Sequence, residues 1–360
     1  MPSNRPISGF LRLSAVVGAL LLGCGGAPSQ PAPSATPHAD ATAPRSFSSA
    51  RAWSDLEALS ALGPRVSGSR GAEEARRYIT QQLEAADLPV LEIEARRELE
   101  AVGSVDWTHV ATTIEGSSPE LFVLLAPYDT GHFEEFSFLG VNDGASGAAL
   151  LLELARVLAA RELPYTTRLV FVDGEGRFGR GGSDLEELRW LGSQTLAETM
   201  EGEGLLPSIR LLVAVNRVCD AEIRIARDLG SHRHHREEFW KAAAALGRVE
   251  AFPPEQGFES VQASHRAFAE RGVRPIVAIV DTAFGGDAPP GVYADSEEDA
   301  ILHCAPESLE AVGTVTLRAL ETIGRRLAKI DRFSQSPLAE IEAAPESSDP
   351  IPDSEAPAAP

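Results

Sequence analysis

Three cysteines in 360 residues are too few for a disulfide scaffold. No CxxC pair and no Cys/His cluster of zinc-ligand spacing occurs among them. No apolar run reaches the about 20 residues that a membrane-spanning helix needs. Positive charge is scarce: 32 Lys and Arg face 53 Asp and Glu, for a formal net charge of −21. That balance excludes nucleic acid as a partner, because phosphate binding needs the opposite sign. An acidic surface otherwise mainly keeps a protein soluble. There is no GxSxG elbow and no Ser/His/Asp order to go with one, so a serine-hydrolase reading has no support. No internal repeat divides the chain.

What is present at the amino end sets a compartment. Arg5 and Arg12 precede or flank an apolar run from Leu13 to Leu22, the size of a signal-peptide core. The run ends in Leu21-Leu22-Gly23-Cys24, which resembles a bacterial lipobox with cleavage before Cys24 and lipid attachment to its thiol. Residues 1–23 then form a lipoprotein signal peptide, and acyl chains on Cys24 hold the mature chain to a membrane. Gly25 follows, with no Asp there to direct retention at the inner membrane. The expected location is exported and membrane-anchored, on the outer membrane or the periplasmic face. Residues 24–45 are Pro, Ala, Ser and Thr with almost no large apolar side chains, and the tail 334–360 is rich in Pro, Glu, Ser and Ala. Neither can bury enough surface to offset its ordering entropy, so both are expected to be disordered. Between them, residues 46–333 have the size of one enzyme-like α/β domain. Cys219 and Cys304 remain after Cys24, and the sequence leaves open whether folding brings them together.

Helix and strand patterns alternate through that domain. Residues 72–86 place Ala75, Ile79 and Leu83 on one helical face. Segments 91–95 and 109–115 read as strands. The short apolar runs 121–126, 169–172, 211–215 and 276–280 fit central strands buried on both faces. The apolar helix 145–160 between the first two of these runs predicts a βαβ unit. The fold expected is a three-layer α/β/α sandwich around a mostly parallel sheet. Ligands in such sheets sit outside the carboxyl ends of the strands. Tyr128, Asp129, Asp173, Glu175, Asn216 and Asp281 stand there, with Asp143 just before the apolar helix.

Seven segments occur in succession: GPRVSGSRGAEEARRYI, LLAPYDTGHF, LGVNDGASGAALLLELARVL, LVFVDGEGRF, LRWLGSQTLAE, AVNRVCDAEI and ADSEEDAILHCAPESL. Together they resemble the zinc exopeptidase family of secreted aminopeptidases and, closer to this chain, glutaminyl cyclases. The resemblance covers roughly residues 50 to 330, and the gap between DGEG and WLGS favours the cyclase-like branch. It implies a zinc ion held by carboxylates and imidazole with one open position, beside a glutamate that moves the proton. Activity of that kind would act on peptide N-termini, by cyclising glutamine or removing a residue.

The ligand set is broken, however. Asp143 matches the family's metal-ligating Asp, and Glu175 matches the catalytic Glu. Gly176 stands where a ligand Glu belongs, and Tyr293-Ala294-Asp295 replaces the segment whose ligand His would fall at Ala294. Asn216 replaces an Asp, Ser264 replaces the Asp before His265, and Pro127 replaces a His two residues before Asp129. Disturbing a partner of a ligand already costs about 10–100-fold in metal affinity, and losing two ligands outright costs more. No zinc or other cofactor is therefore expected. The chain reads as a catalytically impaired relative with a possible peptide-binding or scaffold role. The alternative is an active zinc enzyme rescued by Asp295, Glu297, Glu298 or His132.

Local readings of these residues are plainer. Asp143 is expected to cap the apolar helix, Asp129 to bond loop backbone, and Tyr128, Asn216 and Tyr293 to line a pocket. Trp190 reads equally as core or pocket. His232, His234 and His235 are dense enough to consider a metal, against a solvated helix start capped by Ser231. His303 and Cys304 read as structural.

Overall fold

The computed structural model describes residues 46–99, 103–176, 190–255 and 257–334. Cys24 with its leader, the tether to residue 45 and the tail beyond 334 lie outside the described residues.

Strands β1 (Leu91–Leu99), β2 (Gly103–Ile114), β3 (Ser118–Pro127), β4 (Tyr165–Val172) and β5 (Ile209–Asn216) belong to the main sheet. The two-residue strands β6 (Arg227–Asp228) and β7 (Phe258–Glu259) pair with each other, and β8 (Ile276–Val280) completes the main sheet. Its order is β1-β2-β4-β3-β5-β8. The last four strands of that order are mutually parallel, and β1 and β2 run antiparallel at one edge. The sheet is thus mostly parallel, as the four apolar runs predict. Residues of β3 from Leu121 to Pro127 are all buried. Alternate side chains feed two cores. Phe122, Leu124 and Ala126 join the layer that holds the apolar residues of α1 (Ser49–Ala61), α2 (Arg70–Glu84) and α3 (Ser146–Ala159). Leu121, Val123 and Leu125 join the layer that holds those of α4 (Leu191–Gly202). Of the later helices, α5 (Arg233–Leu246) and α7 (Pro306–Ser334) belong to the first layer and α6 (His265–Glu270) to the second.

The helix α3 is buried almost throughout, and its Glu153 is fully buried. A carboxylate in that position needs compensation. Arg51 Nε donates to it at 2.9 Å, the Ser48 backbone N–H at 3.0 Å and Arg156 at 3.3 Å. Arg156 in turn donates to Asp55 at 2.6 Å and to Gln82 at 2.9 Å. One charge network therefore ties α1, α2 and α3 together behind the sheet.

The helix α5 begins at Arg233, with His232 as its cap, accepting the His235 N–H at 3.4 Å. Ser231 is not the cap. Its hydroxyl donates to Asp228 at 2.8 Å and accepts from the Ala278 N–H, because the chain turns there against β8. Within the described residues, no group of three or more His, Cys, Asp or Glu is placed to hold a metal. No helix among them is long and apolar enough to cross a membrane.

Cys219 and Cys304 are disulfide-bonded across a sequence separation of 85 residues. The bond sits just after β5 and just before α7, where the Ala305 N–H also donates to the Cys219 carbonyl at 2.7 Å. Closing a loop of that length removes denatured-state entropy worth about 4–5 kcal/mol. The Cys219→Ser, Cys304→Ser double variant is expected to lose stability on that scale in urea titration. A non-reducing measurement that gives equal midpoints for variant and parent would refute the contribution.

Candidate functional site

A cavity of about 80 Å³ opens at the carboxyl ends of the parallel strands. Its lining includes Asp129, Asp143, Glu175, Trp190, Arg217 and Asp295. This is the place where such sheets bind ligands; of the acids expected at this rim, Asp129, Asp143 and Glu175 line the cavity, joined by Asp295, while Asp173 and Asp281 are buried outside its lining.

The floor is built by the segment before α2. Arg65 is fully buried, and its guanidinium donates to four carbonyls: Tyr128 at 2.9 Å, Gly63 at 3.0 Å, Leu139 at 2.8 Å and Gly140 at 2.8 Å. Its own N–H reaches the Thr130 hydroxyl at 2.9 Å. Burial lowers its pKa to about 10, against the pull of Asp299, Asp129 and Asp143. The loop after β3 is thus pinned from below by one side chain, which the sequence reading passed over inside GPRVSG.

Two buried acids share the next layer. Asp173 accepts from the Ser67 hydroxyl at 2.5 Å, the Gly174 N–H at 2.8 Å, the Thr108 N–H at 3.0 Å and the Tyr128 hydroxyl at 3.1 Å. These donors favour the anion, but burial outweighs them and holds the Asp173 carboxyl above the usual carboxylate range. Asp129 accepts from the Glu175 and Gly176 N–H groups through Oδ2, at 2.9 and 2.8 Å. Its Oδ1 is buried without a partner. Burial and the neighbouring Asp173 hold Asp129 well above the usual carboxylate range, which favours its protonated form.

Glu175 lies above them, and its carboxylate accepts from the Ser193 N–H at 2.7 Å and the Ser264 hydroxyl at 2.5 Å. Burial pushes its pKa up to about 7 despite both bonds, a value suited to proton transfer near neutrality. Ser264 therefore holds the glutamate in place from the position where the resemblance expects an Asp. Gly176 is tight. A Cβ there would stand 2.5 Å from the Thr130 carbonyl oxygen and 2.7 Å from the Gly131 nitrogen. Both are backbone atoms, so a ligand Glu does not fit without moving the loop.

Asp143 does not cap α3. The turn Val141–Ala145 gives it φ −87 and ψ 102, and α3 begins after Ala145 with no side-chain cap. Its carboxylate instead accepts from Asn216 Nδ2 at 2.8 Å and from Arg217 Nε and Nη2 at 3.1 and 2.6 Å. Asp299 holds the turn itself, accepting from the Asn142 and Asp143 N–H groups at 2.6 and 3.1 Å. Asp295 Oδ1 is 3.9 Å from Arg217 Nη2. Asn216 Oδ1 accepts from the Gly144 N–H at 3.1 Å and the Arg217 N–H at 2.9 Å.

Of the expected pocket residues, Asn216 lines the cavity, as does Trp190. Tyr128 is 1% exposed; its hydroxyl turns inward to Asp173 and to the Thr108 carbonyl. Tyr293 is outside the lining as well, stacked on His303 with ring centroids 3.6 Å apart. Phe133 and Phe138 supply an aromatic wall that the sequence reading did not pick out, their centroids 4.9 Å apart. Arg217 was also missed, although a cation directly after an apolar strand and among acids was visible in AVNRVCD.

The donor set does not fit a zinc ion. Gly176 and Ala294 offer no side-chain donor, and Asp143 is paired with a guanidinium.

Two measurements test this layer. Asp129→Asn should be nearly neutral, since an amide oxygen can take the two N–H bonds of a protonated acid. Asp173→Asn places an amide donor against donors and should be destabilising by about 2 kcal/mol or more. Equal effects of the two in chemical denaturation would contradict the assignment. His109, which accepts the Asp173 N–H at 3.1 Å, is fully buried, and burial lowers its pKa to about 3. An unfolded His titrates near 6.5, so the unfolded chain binds the extra proton between these values, and stability falls as pH drops through that window. The stability of His109→Gln should therefore decline less steeply than the parent's between neutral and mildly acidic pH.

Residues 109–320, more than half of the chain, match peptidase family M28. The chain is 29% identical over 160 residues to the glutaminyl-peptide cyclotransferase of Drosophila melanogaster, covering 43% of this chain and 44% of the fly protein. To the Bos taurus glutaminyl-peptide cyclotransferase it is 28% identical over 138 residues, 34% of this chain and 38% of the other. These alignments span less than half the length of either relative. Among solved structures, an Acidobacteriales bacterium glutaminyl cyclase superposes with a TM-score of 0.71 at 24% identity, over 81% of this chain and 100% of that one. A leucine aminopeptidase precursor from Bacteroides thetaiotaomicron superposes with a TM-score of 0.66 at 22% identity, over 78% and 99%.

Proposed function

The chain belongs to peptidase family M28, and from that premise we propose that it is a glutaminyl-cyclase-like protein without zinc or turnover, working as a membrane-anchored binding module for peptide N-termini. The observation that carries this reading is the state of Asp143. In the family pattern it is a metal ligand; here its carboxylate is met by Arg217 at 2.6 Å. The crowding at Gly176 supports the same reading, because no ligand Glu has room there. Glu175 keeps its place beside the cavity, but a general base alone contributes only about 10²–10⁴-fold.

Binding has better support than chemistry. The cavity joins acids, which suit a protonated amino end, to the aromatic surfaces of Phe133, Phe138 and Trp190, which suit an apolar neighbour. The lipobox-like segment ending at Cys24 supports anchoring. The Cys219–Cys304 bond fits an oxidising compartment.

Purified full-length chain, prepared without chelator and dialysed after zinc loading, should retain far less than one zinc per chain and leave an N-terminal glutaminyl peptide uncyclised. Retention near one zinc per chain, lost in Asp143→Ala together with turnover, would sink the reading.

A further inference from the structure

Arg217 directly follows β5 and has φ 54, a left-handed backbone that is strained for a residue with a Cβ. The described residues include four non-glycine residues with positive φ, and three of them, Trp190, Arg217 and Asp295, line this one cavity. Strain of this kind persists where the surroundings over-determine it, and it concentrates at ligand sites.

The partners of Arg217 come from separate segments. Asp143 lies on the turn before α3, and Asp295 lies between β8 and α7. Arg217 sends Nε and Nη2 to Asp143 Oδ2, and Nη2 lies 3.9 Å from Asp295. One positive charge therefore joins three stretches of chain that share no sequence neighbourhood, as a coordinated ion does. The charge count agrees. A guanidinium carries one charge where zinc carries two, and positions 176 and 216, which the family fills with carboxylates, are Gly and Asn here. Those carboxylates would have been left uncompensated beside a single cation. Asn216 instead turns its amide N–H to Asp143 and accepts the Arg217 N–H. Asp129 Oδ1, also at this cavity, is buried without a partner, so the site still presents an unsatisfied polar atom.

We propose that Arg217 is a built-in replacement for the metal ion: its guanidinium holds Asp143 and Asp295 in register and supplies the positive charge that a coordinated cation would bring. This rests on the zinc-free reading above. A planar guanidinium makes two directed bonds to a carboxylate, which an ammonium cannot reproduce, yet either supplies the charge.

The test compares thermal unfolding of the full chain, Arg217→Met and Arg217→Lys in chelator and in millimolar zinc or manganese. The parent should unfold at the same temperature in all three solutions. Arg217→Met should unfold several degrees lower in chelator and regain part of that loss with a divalent cation, and adding Asp143→Asn should abolish the regain. Arg217→Lys should stay nearer the parent and respond little to metal. If Arg217→Met fails to fold in chelator, refolding yield with and without cation replaces the midpoint, and a cation-independent yield counts against the proposal. Indifference of Arg217→Met to every cation, or a midpoint equal to the parent's, overturns it. A parent that zinc itself stabilises would instead overturn the zinc-free reading, which keeps the two failures apart.

Discussion

Too much negative charge converges on one rim of the sheet, and the rest of the site follows from how that charge is compensated. Asp129, Asp143, Asp173, Glu175, Asp295 and Asp299 all stand near the carboxyl ends of the parallel strands, and four of the six are less than a tenth exposed. Buried carboxylates persist only when paired, hydrogen-bonded or protonated. All three solutions occur. Asp173 is met by four donors, Asp129 is pushed toward its protonated form, and Asp143 takes the Arg217 guanidinium. In the family pattern a dication would do part of this work. Here it is distributed over side chains.

The same compensation ties the loops to one another. Arg65 binds four carbonyls and Asp299 two backbone N–H groups, so the turn before α3 is fixed by charge on both of its polar faces. The disulfide fixes the segment that follows Arg217 to the start of α7. A strained Arg217 backbone is tolerable because the residues on either side of it are bound, Asn216 through its side chain and Val218 through the Ser146 hydroxyl.

Much of the fold was legible because buried parallel strands leave uninterrupted apolar runs. The runs at 121, 169, 211 and 276 each sit inside a strand, and the apolar stretch from 145 is α3. The site was legible as an address and as a set of substitutions, but not as a set of contacts. Asp143 looked like a helix cap because it immediately precedes an apolar helix. The backbone there is a wide turn, and the helix starts three residues later with no side-chain cap. Tyr128 follows a strand end, as pocket residues do, yet an aromatic ring one residue beyond a buried strand still falls on the core side of the sheet. The Arg217–Asp143 pair spans 74 residues, and no periodicity predicts a pair at that distance.

The retained Glu175 is the strongest argument on the other side, and its magnitude decides how far that argument goes. Its pKa near 7 and its two donors leave it poised for proton transfer. Enzymes of ordinary power need about 10⁶-fold or more over the uncatalysed reaction, and one positioned base supplies at most about 10⁴ of that. The remainder must come from stabilising charge that develops on the substrate, for which a Lewis acid is worth several kcal/mol. The Arg217 guanidinium is the nearest substitute, but it already spends two N–H groups on Asp143 and is drawn toward Asp295 as well. A cation so neutralised stabilises a second developing anion weakly. The geometry keeps the proton-transfer group of the family chemistry, and beside it sets a guanidinium already engaged by Asp143, which is why the proposed role is recognition at this cavity.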